Sequence, residues 1–279
     1  MDTPTASKIA QITLLFWLMK IVATTLGETL GDYITMTLNL GYAAGIAITF
    51  TFFLIVLLLQ LYSKRYIPVL FWLVIIATTT LGTEFSDYID RSLHLGYAVG
   101  SLVLSIGLLC ALLVWYLQFK NLSVNALHEK PKELFFWIAV LFSNSLGTAF
   151  GDYLIDGIGL TYYQGALVTA AVIIIVVLLH YLTKINEIFL FWVAFVFTRP
   201  FGATFGDFLT KPRAKGGLDL GTFQASVVAV LLIAGLIFWE LVRETNVKGI
   251  SELFIENALV VANAHSSISG YKTLISFSN

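Results

Sequence analysis

The chain has 279 residues, of which 58% are hydrophobic and only 12% charged, and its net charge is −1. A soluble domain carries about 25% charged residues, so this composition excludes an ordinary soluble globule, and near-neutrality gives no case for nucleic-acid binding. A single cysteine, Cys110, excludes an intrachain disulfide.

The start, MDTPTASKIAQ, is polar, has no small-residue cleavage site and leads straight into an apolar run, so it does not read as a signal peptide. A membrane span needs ~20 mostly apolar residues. Eight stretches qualify, at about 9–31, 41–62, 67–87, 97–119, 133–152, 162–183, 187–207 and 220–241. The short alternating strands of a barrel do not occur. The fold expected is an all-α polytopic membrane protein, with residues 1–243 in the bilayer and 244–279 as a polar cytoplasmic tail. Lysines and arginines between the spans set orientation. One side carries Lys8, Lys64, Arg65, Lys120, Lys130, Lys132, Lys184, Arg243 and Lys248; the other carries Arg91, Lys211, Arg213 and Lys215. That bias places both termini in the cytoplasm.

The spans form four copies of a two-helix unit, at about 9–62, 67–119, 133–183 and 187–241. Trp17, Trp72, Trp137 and Trp192 each stand 15 residues before an aspartate, namely Asp32, Asp87, Asp152 and Asp207. Small residues lie five and one positions before each aspartate: Gly27/Gly31, Gly82/Ser86, Gly147/Gly151 and Gly202/Gly206. Such pairs let helices approach closely in lipid. Because each unit has two spans, successive copies enter from the same side, which predicts pseudo-twofold or pseudo-fourfold symmetry about the membrane normal. The motif helices are then inside and the even-numbered helices outside.

On a helix, positions three, four, seven and eight before the aspartate share its face. In the first copy these are Thr29, Glu28, Thr25 and Thr24; in the second, Glu84, Thr83, Thr80 and Thr79; in the third, Ala149, Thr148, Ser145 and Asn144; in the fourth, Thr204, Ala203, Pro200 and Arg199. Six acids lie in or beside the spans (Glu28, Asp32, Glu84, Asp87, Asp152, Asp207) against two bases, Lys20 and Arg199, an excess of four negative charges. A charge at mid-bilayer costs ~3 kcal/mol or more, so these groups face an interior or a water-filled cavity, pair, protonate or bind cations. His94, His128, His180 and His265 share no motif. Pro200 lacks a backbone donor and predicts a kink in the seventh span.

Four two-helix units, each with a tryptophan and a G-x4-D-[YF] ending, the last reading TRPFGATFGDFLTKP, resemble a bacterial family of membrane-anchored proteins defined as a repeat of unknown function. The resemblance covers about residues 10–243. It implies an eight-span protein of the bacterial inner membrane and no particular activity. The stretch GETLGDY also resembles the E-x-G-D-[KR]-[TS] motif of small cation and manganese exporters, departing from it in spacing and in having no basic residue after the aspartate.

Carboxylate, hydroxyl and amide oxygens are hard ligands, suited to Mg²⁺, Ca²⁺ or Mn²⁺. The first functional expectation is therefore a transporter exporting a hard, Mn²⁺-like divalent cation, with proton coupling at the glutamates. Asp32, Asp87, Asp152, Asp207, Glu28 and Glu84 are the expected metal ligands, and Thr148, Thr204, Asn144 and Arg199 complete the site. Two readings compete: a non-transporting scaffold or sensor whose aspartates cap helix ends, and a transporter or channel for a small organic solute that uses Arg199 against a carboxylate. No nucleophile triad or zinc motif points to an enzyme, and the only cofactor-like species implied is the ion as substrate.

Overall fold

The computed structural model describes residues 8–124, 127, 129–243 and 245. The expected tail thus lies, save for Thr245, outside the described residues, as do His128 and His265. Eight helices are long and apolar enough to cross a membrane: α1 (Leu14–Asp32), α2 (Tyr42–Tyr62), α3 (Pro68–Asp87), α4 (Tyr97–Phe119), α5 (Lys130–Asp152), α6 (Tyr162–Leu182), α7 (Glu187–Thr210) and α8 (Thr222–Arg243). No strand occurs among the described residues. Helices satisfy every backbone group within the segment, which hydrocarbon demands. Pro68 sits in the first turn of α3, where no intrahelical donor is missed. The chain divides into two compact units, Met1–Ala234 and Gly235–Asn279, so the second half of α8 belongs to the second. In that unit Phe238 and Trp239 are exposed.

The first unit is a closed ring. Helix α1 packs on α3, α3 on α5, α5 on α7, and α7 back on α1. These four are mostly buried, whereas α2, α4 and α6 are mostly exposed, with Leu, Ile, Val and Phe outward. Each outer helix packs on the inner helix of the next repeat: α2 on α3, α4 on α5, α6 on α7. The start of α8 closes the cycle on α1, where Ser226 hydrogen-bonds Thr29 at 2.9 Å and Phe223 meets Tyr33.

Glycine makes the ring tight. A Cβ at Gly27 would meet Thr79, at Gly82 Asn144, at Gly147 Arg199 and at Gly202 Thr24. Each inner helix thus presents its glycine to the residue eight before the next aspartate, four times around. At one end of the bundle, phenylalanine and tryptophan repeat the cycle. Phe16 meets Trp72 (ring centroids 5.6 Å apart), Phe71 meets Trp137 (5.6 Å), Phe136 meets Trp192 (6.4 Å) and Phe191 meets Trp17 (5.9 Å). The tryptophans are packing elements of this aromatic end. Beneath them, Lys8 pairs with Glu133 at 2.8 Å, and Gln60 donates to Glu133 at 3.0 Å, tying the N-terminal segment to α2 and α5.

The opposite, acidic end has its own repeated turn. Asn39, His94, Gly159 and Asp219 are all left-handed, at φ 54°, 55°, 87° and 59°, each three residues before an outer helix. Short polar residues and glycine tolerate that conformation best. His94 is therefore a turn residue. Directly after the aspartate, the first three inner helices widen into a π-helical turn, Tyr33–Thr37, Tyr88–Ser92 and Tyr153–Gly157. The fourth remains α-helical to Thr210 and continues unbroken through Pro200.

Candidate functional site

The side chain four residues before each aspartate points to the centre of the ring. At that level stand Glu28 and Thr83, with Thr83 donating to the glutamate at 3.2 Å. Thr148 is the third member and Ala203 the fourth. The gap left by alanine accommodates Arg199 of the same helix. Its guanidinium pairs with Glu28 at 3.0 Å, donates to Thr148 at 2.6 Å and to Thr83, and reaches the carbonyls of Thr24 and Thr79 at 3.4 Å. Arg199 is fully buried and joins α7 to all three other inner helices. Buried charges persist when paired and fully hydrogen-bonded, and Arg199 meets most of that condition; its Nε alone lacks a partner.

The four aspartates form the next layer, all buried at 2–4% exposure. Two cations clamp them in pairs. The Lys211 ammonium bridges Asp207 (3.3 Å) and Asp32, which accepts its hydrogen bond. The Arg91 guanidinium bridges Asp87 (3.7 Å) and Asp152 (3.6 Å). Both bases stand four residues after their own aspartate, in repeats two and four, so the clamp has twofold rather than fourfold symmetry. Burial opposes the charge on Lys211, but Asp207 and Asp32 outweigh it and hold this ammonium above the ordinary lysine range.

Three acids, Glu28, Asp32 and Asp207, each offer an oxygen within 4.8 Å of the others. This group spans α1 and α7, between the guanidinium of Arg199 and the ammonium of Lys211. Asp87 and Asp152 complete the same layer under Arg91. A cavity of about 460 Å³ opens beside it, lined by Arg91, Asp152, Asp207, Lys211, Tyr97 and Tyr162, among others.

Three residues expected in the cluster, Glu84, Thr204 and Asn144, do not join it. Glu84 and Thr204 lie three, not four, residues before their aspartates, and that position faces the neighbouring outer helix. Glu84 accepts from Thr49 of α2, and Thr204 hydrogen-bonds Thr169 of α6 at 3.2 Å. Thr29 and Ser226 make the equivalent contact in the first copy. Asn144 sits a layer toward the aromatic end, accepting from Lys20 at 3.2 Å and donating to Thr78 at 3.0 Å. Lys20 does not pair with Glu28: its ammonium rests 3.9 Å above the Phe195 ring. Two residues that hydropathy places between the spans, Arg91 and Lys211, belong to the site. Their position four after an aspartate was the available signal. With Arg91 and Lys211 included, and with the buried Asp90 one residue before Arg91, seven acids face four bases, and the excess of negative charge falls from four to three.

A family model matches the chain in four stretches, residues 15–66, 70–121, 135–186 and 190–246, and its description is Repeat of Unknown Function (DUF347). Each stretch holds one inner helix and the outer helix that follows it. No curated protein and no solved structure gives a match.

Proposed function

We propose that this chain, which belongs to the DUF347 repeat family, is a membrane transporter for a hard divalent cation of the Mn²⁺ type. The observation that carries the reading is the buried trio of Glu28, Asp32 and Asp207, with oxygens within 4.8 Å of one another in the centre of a membrane-spanning ring. Three carboxylates suit an oxygen-seeking ion, which keeps several waters and takes the rest of its shell from the protein. Lys211 then acts as a tethered substitute: its ammonium already bridges two of the three acids. An arriving ion displaces it and takes over its charge role, so the acids are never left unpaired. The seal of packed Phe–Trp pairs lies at the far end of the ring, which makes the acidic end the open side. The lysine and arginine bias between the spans puts that side away from the cytoplasm, in a bacterial inner membrane with both termini inside.

The test is Mn²⁺ flux into proteoliposomes, followed with an internal chelating dye. Asp32→Asn and Asp207→Asn are expected to abolish flux, and Glu84→Gln to preserve it. A quadruple aspartate-to-asparagine variant that carries Mn²⁺ like the native protein would sink the reading. One observation favours a second reading, a non-transporting scaffold: Arg199, Lys211 and Arg91 already pair the acids. That reading expects no Mn²⁺ flux from the native protein and lower stability in the same variants.

A further inference from the structure

The cavity beside the aspartate layer is built from acid–base pairs. Arg91 faces Asp152 at 3.6 Å, Lys211 faces Asp207 at 3.3 Å, and Lys215 faces Asp156 at 3.9 Å. All three separations exceed the ~2.7–2.9 Å of a close charge-assisted hydrogen bond. Asp152 Oδ2 and Asp207 Oδ1 are buried and accept no hydrogen bond, although both residues line the cavity. So each pair holds opposite charges near each other without joining them, around about 460 Å³ of space. That volume falls in the usual range for small-molecule sites, ~300–1,000 Å³.

The pairing restricts what can enter. A simple cation drawn to Asp152 and Asp207 strands the guanidinium of Arg91. A simple anion drawn to Arg91 and Lys211 strands two buried carboxylates. The carboxylates are buried while Arg91 and Lys211 stay 32% and 20% exposed, so leaving the acids unpaired is the costlier of the two exchanges. A molecule with both charges a few atoms apart exchanges charge for charge. We propose that this cavity binds a small zwitterionic solute of the α-amino-acid class. Its ammonium meets Asp152 Oδ2 and Asp207 Oδ1, and its carboxylate meets Arg91 and Lys211, with the Lys215 ammonium at the rim adding to that positive side. Tyr97, whose hydroxyl donates to Asp156 at 3.2 Å, and Tyr162 supply flanking wall.

The site stands on the cavity alone; only its linkage to ion binding rests on the transport reading. Lys211 and Asp207 belong to both places. A carboxylate that draws Lys211 toward the cavity releases Asp32 for a cation, so solute and ion favour each other's binding, and the coupling is reciprocal.

The experiment is thermal unfolding of the full chain in nanodiscs with each of the twenty proteinogenic α-amino acids in turn. Each effective amino acid is then compared with its amine analogue lacking the carboxylate and its acid analogue lacking the amine. Mn²⁺ is titrated in the same preparations. At least one amino acid is expected to raise the unfolding temperature, and neither half-molecule to do so. Affinity is expected to fall about tenfold or more in Asp152→Asn. Lys215→Gln, at the exposed rim, is expected to weaken binding while leaving unliganded stability unchanged, so the inference does not depend on Asp152→Asn folding. No shift with any amino acid, an equal shift from the amine or the acid alone, or undiminished affinity in Lys215→Gln and Asp152→Asn overturns it. Mn²⁺ binding without amino-acid binding removes this inference and leaves the cation reading. Amino-acid binding without Mn²⁺ binding does the reverse.

Discussion

Glu28→Gln is the sharpest perturbation of the ring. Glu28 is the carboxylate paired with Arg199, a side chain with no exposed surface in the centre of four helices. Removing one partner of a buried ion pair costs about 3–5 kcal/mol. Thr83, Thr148 and two backbone carbonyls still accept from the guanidinium, and glutamine keeps one oxygen, so the lower end of that range applies. A loss of ~3 kcal/mol is about a hundredfold in the unfolding equilibrium. The assay is SDS-driven unfolding of purified protein in mixed micelles, read by far-ultraviolet circular dichroism, for Glu28→Gln, Arg199→Gln and the double variant. Residues in one network are non-additive, so the double variant is expected to lose less than the two singles together. Native-like unfolding of Glu28→Gln, or simple additivity in the double variant, refutes the pairing as the ring's central tie.

Other outcomes follow from the same geometry. Gly82→Ala places a Cβ 2.9 Å from the Ser145 backbone nitrogen, whereas at Gly151 the closest approach is an ordinary 3.4 Å. The first is expected to cost ~1–3 kcal/mol, as overpacking does, and the second to be near neutral in the same SDS titration. Trp137→Ala, at a fully buried side chain of the aromatic end, is expected to cost ~3–5 kcal/mol by the same assay. Lys211→Met frees Asp32 and Asp207. If their release returns ~1 kcal/mol, the scale of a partly exposed pair, Mn²⁺ binds about fivefold more tightly in calorimetric titration.

The eight spans, the four repeats and the inner position of the motif helices were legible because each rests on a pattern several turns long. The tryptophan-to-aspartate spacing and the registered glycine pairs survive any one-residue error. The site was less legible because it turns on differences smaller than that. Positions three and four before the aspartate are 100° apart on a helix, and both belong to a polar stripe. Only packing decides that Glu28 faces the axis and Glu84 faces α2. Arg91 and Lys211 were missed for another reason. They fall beyond the apolar runs, so hydropathy assigns them to loops. The π-helical turn after Asp87 keeps Arg91 on the helical path, and the loop after α7 keeps Lys211 beside its aspartate. The charge count that suggested an electronegative centre therefore omitted the two cations that most nearly neutralise it.

The pairing of each outer helix with the inner helix of the following repeat bears on how such a chain is made and how it arose. No repeat is a self-sufficient hairpin, because α2 leaves its own α1 to rest on α3. During synthesis the outer flank of α1, with Thr29 on it, waits for the start of α8. Helix α1 thus acquires this neighbour only when α8 has emerged, and the ring stays open on that flank until then. An ancestor with two repeats has the same loose ends at half the length. It closes only by exchanging helices with a second copy inserted in the same direction, and fusion of two such genes turns that partnership into a single polypeptide.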